Sequence, residues 1–141
     1  MPNNIWLIAA GSMSAAASVA HLAVIAGGPA WYRFFGAGEG MARAAERGLL
    51  IAPLTTVAIA SVLAIWAAYA FAGAGLIPRL PLLRLGLITI TTIYLVRALW
   101  ILPGLPLFGR SETFALVSSA IVLVIGLTYA IGTWTAWRTL S

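Results

Sequence analysis

The chain has 141 residues, of which 62% are hydrophobic and only 8% charged, whereas a soluble domain carries about a quarter charged residues. So few charges cannot cover a water-soluble globule, so lipid is the expected solvent, and at roughly 20 residues per crossing the length fits four helices with short loops. The net charge of +5 comes from arginines scattered through loops and helix ends, which excludes a nucleic-acid surface, and the absence of cysteine excludes disulfides, thiolate catalysis and Cys-ligated zinc.

In chain order, Met1-Pro2-Asn3-Asn4 lacks a basic side chain. The first apolar segment therefore reads as a retained span, although Ser18-Val19-Ala20 imitates a cleavage site. Span one covers about 5–26 and stops at Gly27-Gly28-Pro29. Its Ala10, Ser14 and Ser18 form a small-residue stripe that lets another helix approach closely. A polar stretch follows, from Phe35 to Gly48. If helical from Glu39, it sets Glu39, Arg43 and Glu46 on one face, with Glu39 and Arg43 in the favourable ion-pair order, and it leads into span two. Span two covers about 48–72 and carries the stripe Ala60, Ala64, Ala68, Ala72. Pro53 near its start predicts a kink near Glu46, with the Leu49 carbonyl unpaired. Span three covers about 82–102, after Pro78 and Pro81, and span four about 113–137. The expected architecture is all-α, a single domain over 1–141 built as a four-transmembrane-helix bundle.

Four crossings place both termini and the loop at 73–81 on one side, and the loops at 27–47 and 103–112 on the other. Trp6, Trp66, Tyr69, Trp134 and Trp137 near the first side, and Trp31, Tyr32 and Trp100 near the second, fit interfacial anchors. Arg79, Arg84 and Arg138 face Arg33, Arg43, Arg47 and Arg110 across the membrane, so counting basic residues barely orients the chain. The short, purely basic loop at 73–84 points to termini inside. Arginine in place of lysine, with abundant alanine, points to a GC-rich bacterial source and hence the inner membrane.

Two ionisable residues fall inside spans, His21 and Arg97. Such groups are costly in hydrocarbon and face the bundle or a wet cavity. Each lies five residues before the end of its span, at the same membrane side, so a shared depth is expected. His21 lies on the small-residue face of span one, and Arg97 shares a face with Gly86, Ile90, Ile93 and Tyr94. Glu112 enters span four from this side. All three acids, the only histidine and five of the eight arginines therefore gather on one half of the molecule. Each also has a plain structural role open to it: Arg97 can snorkel, His21 can bond across helices, and the acidic stretch can be a solvated interfacial helix.

No phosphate-binding glycine motif, nucleophile elbow or metal-ligand cluster is present: one His, three Glu and no Cys or Asp argue against a transition-metal site within one chain, and no cofactor is indicated. The four-span size and the irregular polar loop containing Tyr32-Arg33-Phe34-Phe35-Gly36-Ala37-Gly38-Glu39 loosely resemble the small bacterial DoxX-like membrane proteins. That resemblance is architectural and transfers no catalytic residue.

Three functions follow as expectations. The first is a module binding membrane lipid or another lipophilic molecule, a quinone or isoprenoid, with Arg33, Arg43 and Arg97 on its polar head and Tyr94 and Trp100 along its apolar part. The second is an intramembrane isomerase or hydrolase in which His21 is the acid–base group and Glu39 or Glu46 its partner. The third is a proton-coupled transporter, which at this length requires a homo-oligomer and which lacks an acid at the centre of any span.

Overall fold

The computed structural model describes residues 3–34, 39–99 and 112–140, and among them all regular structure is helical. Helix α1 (Ile5–Gly27) starts at Asn4, whose side-chain oxygen accepts the Leu7 N–H at 3.1 Å. It stops at Gly28, where φ is +75°. Helix α2 (Pro29–Phe34) opens on a proline, a residue preset for the first helical position. Helix α3 (Glu39–Glu46) and helix α4 (Ile51–Ala74) follow. Then come α5 (Leu83–Ala98), α6 (Glu112–Ala136) and a single 3₁₀ turn at Trp137–Thr139. Helices α1 and α4, and the stretch Leu116–Thr139, are long and apolar enough to cross a membrane. Helix α5, with 16 described residues, extends about 24 Å.

The stretch beginning at Glu39 is helical, but it does not run on into α4. Gly48 adopts φ +67°, Gly48 N–H bonds to the Ala45 carbonyl and Leu49 N–H to that of Ala44, the paired bonds of a Schellman stop. Pro53 consequently falls in the first turn of α4, where an N–H has no intrahelical acceptor to lose, and no kink near Glu46 is needed. Gly75 closes α4 with the same pair of bonds, from Gly75 to Ala72 and from Leu76 to Phe71.

Helix α1 lies antiparallel between α4 and α6, and α5 packs on α6 and α4. Leu7 is the pivot of one end. A Cβ at Gly73 of α4 or Gly132 of α6 would fall 2.9 or 2.7 Å from its methyls, so both neighbours need glycine there. Gly11 likewise admits the Phe71 ring, and Gly86 of α5 admits Tyr69. Ala10, Ser14 and Ser18 are buried as expected. The α4 stripe holds in part: Ala60 and Ala72 are buried, but Ala64 is exposed and Ala68 only partly buried, and the buried line runs through Thr56, Ala60, Leu63, Ala67, Ala70 and Ala74. A strict four-residue step drifts about 40° per step around a helix of 3.6 residues per turn, so alternating steps of three and four are what stay on the interface.

The outer surface is made of exposed Ile, Leu and Val, among them Ile59, Ile65, Val96, Ile121 and Val124. Trp6, Trp31, Trp134 and Trp137 are exposed, in keeping with anchoring. Tyr32, Trp66 and Tyr69 instead turn inward. Tyr32 is buried with its hydroxyl 3.0 Å from Thr56 Oγ1, Trp66 meets Tyr94 edge-on, and Tyr69 fills the notch at Gly86.

Candidate functional site

The residues expected to form a site do not all meet. Arg33 of α2 and Glu46 at the end of α3 form an ion pair at 2.6 Å, each about two-fifths exposed. This pair ties α2 to α3. Arg43 is exposed on α3. The side chain of Glu39, and Trp100 with Arg110, lie outside the described residues, as does the side chain of Glu112.

His21 is partly buried, and its Nδ1 lies 2.7 Å from the Ala17 carbonyl of its own helix. Because a carbonyl can only accept, Nδ1 carries a proton. The hydrogen bond that His21 makes among the described residues is to Ala17, while Glu46 pairs with Arg33.

Arg97 Nη2 donates to Ser118 Oγ of α6 at 3.3 Å. Its relation to His21 can be measured from the Ser14–Tyr94 contact that joins α1 and α5. His21 lies beyond it on α1 and Arg97 beyond it on α5, so the two residues lie toward the same end of the bundle.

Tyr94 belongs to a buried hydroxyl chain that links all four long helices. Ser14 Oγ lies 2.7 Å from the Tyr94 hydroxyl and 2.8 Å from that of Tyr129, and Tyr129 donates to the Trp66 carbonyl at 3.1 Å. Each hydroxyl has one proton to give. With the Tyr129 proton committed to Trp66, Ser14 donates to Tyr129 and Tyr94 donates to Ser14. The two tyrosine rings stack with centroids 5.3 Å apart. Ser18, one turn further along α1, donates to the Ala60 carbonyl at 2.7 Å. The Ser14, Tyr94 and Tyr129 hydroxyls are all hydrogen-bonded within this network, and Tyr94 is buried and lines neither groove.

Open space lies instead toward the terminal end. One groove, of about 290 Å³, runs between α4 and α5 and is lined by Ile65, Trp66, Tyr69, Gly86, Thr89 and Ile90, with Leu82 and Leu85 at its end. A second, of about 570 Å³, shares Leu82 and Leu85 and adds Arg79, Leu80, Leu83, Arg84, Ile88 and Leu140. Arg79 donates from Nη2 to the Leu140 carbonyl. Arg84 donates from Nη2 to the Trp137 carbonyl at 2.7 Å and lies over the Trp137 ring at 4.1 Å. These bonds bring the basic loop and the C-terminal turn together at one end, beside Asn4, whose amide reaches Thr135 Oγ1 at 2.9 Å.

Sequence reasoning took Ser14 for spacing alone and used Arg79 and Arg84 only to orient the chain. The signal for the hydroxyl chain was mid-span polarity at matching depths, Ser14, Tyr94 and Tyr129. For the groove it was two arginines beside Pro78 and Pro81 in a stretch without acids.

No family model, curated protein or solved structure matches this chain. The likeness to DoxX-like proteins gains no support from those comparisons.

Proposed function

We propose that the chain is a four-span membrane protein that binds a lipophilic small molecule, of the quinone, isoprenoid or lipid class, in the groove between α4 and α5. The observation that carries this reading is the groove itself. It opens sideways among exposed Ile65 and Leu85, where acyl chains would lie, and it has an aromatic wall of Trp66 and Tyr69. Ligand sites are concave and mostly apolar with a few polar groups, and Thr89, which donates its proton to the Leu85 carbonyl, leaves an acceptor oxygen here. Helix α5 packs against two helices of crossing length, which supports its being the fourth crossing.

The chain contains no cysteine, so single cysteines can report its topology. Asn3→Cys and Ile77→Cys are expected to label from one side of a sealed vesicle and Gly40→Cys from the other; Asn3→Cys and Ile77→Cys labelling from opposite sides would end the four-span reading. The ligand is tested by mass spectrometry of a lipid extract of the purified protein. A stoichiometric amphiphile, depleted in Thr89→Trp, is expected. Its absence from the wild-type extract, or its undiminished retention by Thr89→Trp, would overturn the groove as the binding site.

A further inference from the structure

Resting on the α4–α5 reading, we propose that the groove selects a neutral lipid alcohol, a single-chain amphiphile whose head is a free hydroxyl. It does so over molecules of similar shape whose heads only accept hydrogen bonds or carry a charge.

The selection lies in where the protons of the groove wall already go. Tyr69 and Thr89 supply its two hydroxyls. The Tyr69 hydroxyl donates to the Pro81 carbonyl at 3.0 Å, and Thr89 Oγ1 donates to the Leu85 carbonyl at 2.9 Å. Each hydroxyl has one proton, so what remains on each oxygen is lone pairs. A head that only accepts, a quinone carbonyl or an ether, can bond to either oxygen only by drawing its proton away from the backbone. One hydrogen bond is then exchanged for another, with no gain. A hydroxyl head donates to a lone pair and leaves both internal bonds in place, so it adds a bond. In the hydrocarbon region no water competes for that oxygen. The remaining polar side-chain group of the wall, the Trp66 indole N–H, can only donate, and a hydroxyl can accept from it as well.

The rest of the lining sets charge and size. Among the described residues, no Arg, Lys, His, Asp or Glu lines this groove. A charged head would lose its hydration there without a counter-charge, at a cost far above what one hydrogen bond returns. At about 290 Å³ the groove is at the small end of ligand sites, with room for one chain rather than the paired chains of a diacyl lipid. Gly86 holds the arrangement together, since a Cβ there would fall 2.5 Å from the Tyr69 ring that carries one of the two acceptors.

The test is binding of tritiated geranylgeraniol to the purified full chain in neutral detergent, with unlabelled geranylgeraniol, its methyl ether and geranylgeranyl phosphate as competitors. The methyl ether keeps the chain and the oxygen but has no proton to give, and it is expected to compete about threefold to tenfold more weakly than the alcohol. The phosphate should be weaker still. Thr89→Val keeps the shape of the wall and removes one acceptor, so it should narrow the gap between alcohol and ether by weakening the alcohol alone. Tyr69→Phe should do the same for the other acceptor. Equal competition by alcohol and ether in the wild type would overturn the hydroxyl selection and leave the groove standing. A gap that survives both Thr89→Val and Tyr69→Phe would overturn its assignment to these oxygens, and tighter competition by the phosphate would overturn the neutral head. No binding of the alcohol, or binding undiminished in Thr89→Trp, would remove the groove itself.

Discussion

Ser14 and Tyr94, eighty residues apart in the chain, are joined by a 2.7 Å hydrogen bond at the centre of the bundle. Because Ser14 receives the Tyr94 proton and passes its own to Tyr129, the three side chains are unequal partners. Ser14→Ala leaves the Tyr94 donor without an acceptor in a buried site, at a cost of about 1–3 kcal/mol. Tyr94→Phe removes the donor itself and should cost nearer the membrane-bundle average, about 0.6 kcal/mol. Reversible unfolding in mixed micelles should therefore rank Ser14→Ala below Tyr94→Phe; the opposite rank would contradict the proton assignment.

Glycine substitutions should divide sharply by place. A methyl at Gly132 meets Leu7 side-chain carbons at 2.7 and 2.8 Å and its backbone nitrogen at 3.1 Å, so Gly132→Ala must push α1 and α6 apart and is expected to cost about 1–3 kcal/mol. A methyl at Gly40, inside α3, meets nothing within 4 Å. Gly40→Ala should stabilise that helix by about 0.5–1 kcal/mol through helix propensity alone. The same unfolding measurement reads both variants.

The Arg33–Glu46 pair is well solvated, which sets its worth. A double-mutant cycle with Arg33→Gln and Glu46→Gln should give a coupling of about 0.2–1 kcal/mol at low salt, shrinking as ionic strength rises. A salt-independent coupling of several kcal/mol would mean that the pair is sequestered from water.

The helical class and most helix ends were legible because glycine and proline punctuate this chain strongly. Gly27-Gly28-Pro29 and Gly73-Ala74-Gly75 each mark the end of a long helix. Gly48 misled because a glycine at the edge of an apolar run can begin or end a helix, and only its φ of +67° separates the two. Glu46 was placed on the correct short helix, but its partner Arg33 sits on a different helix, where i, i+4 arithmetic does not reach. The α4–α5 groove could not be read from periodicity, since it depends on where the Tyr69 ring packs against Gly86.

The cap formed by α2 and α3 has its own small core, Val24, Tyr32, Ala42, Ala44 and Ala52, with Met41 and Ala45 against it. That nucleus is separate from the larger one around Leu7, Leu87 and Tyr129. Three of its five buried members are alanines, which contribute little apolar area each. The two nuclei therefore melt on different terms. Amide hydrogens of 39–46 should exchange through local opening long before those of 83–98, and the cap can breathe at the water boundary without loosening the helices beneath it.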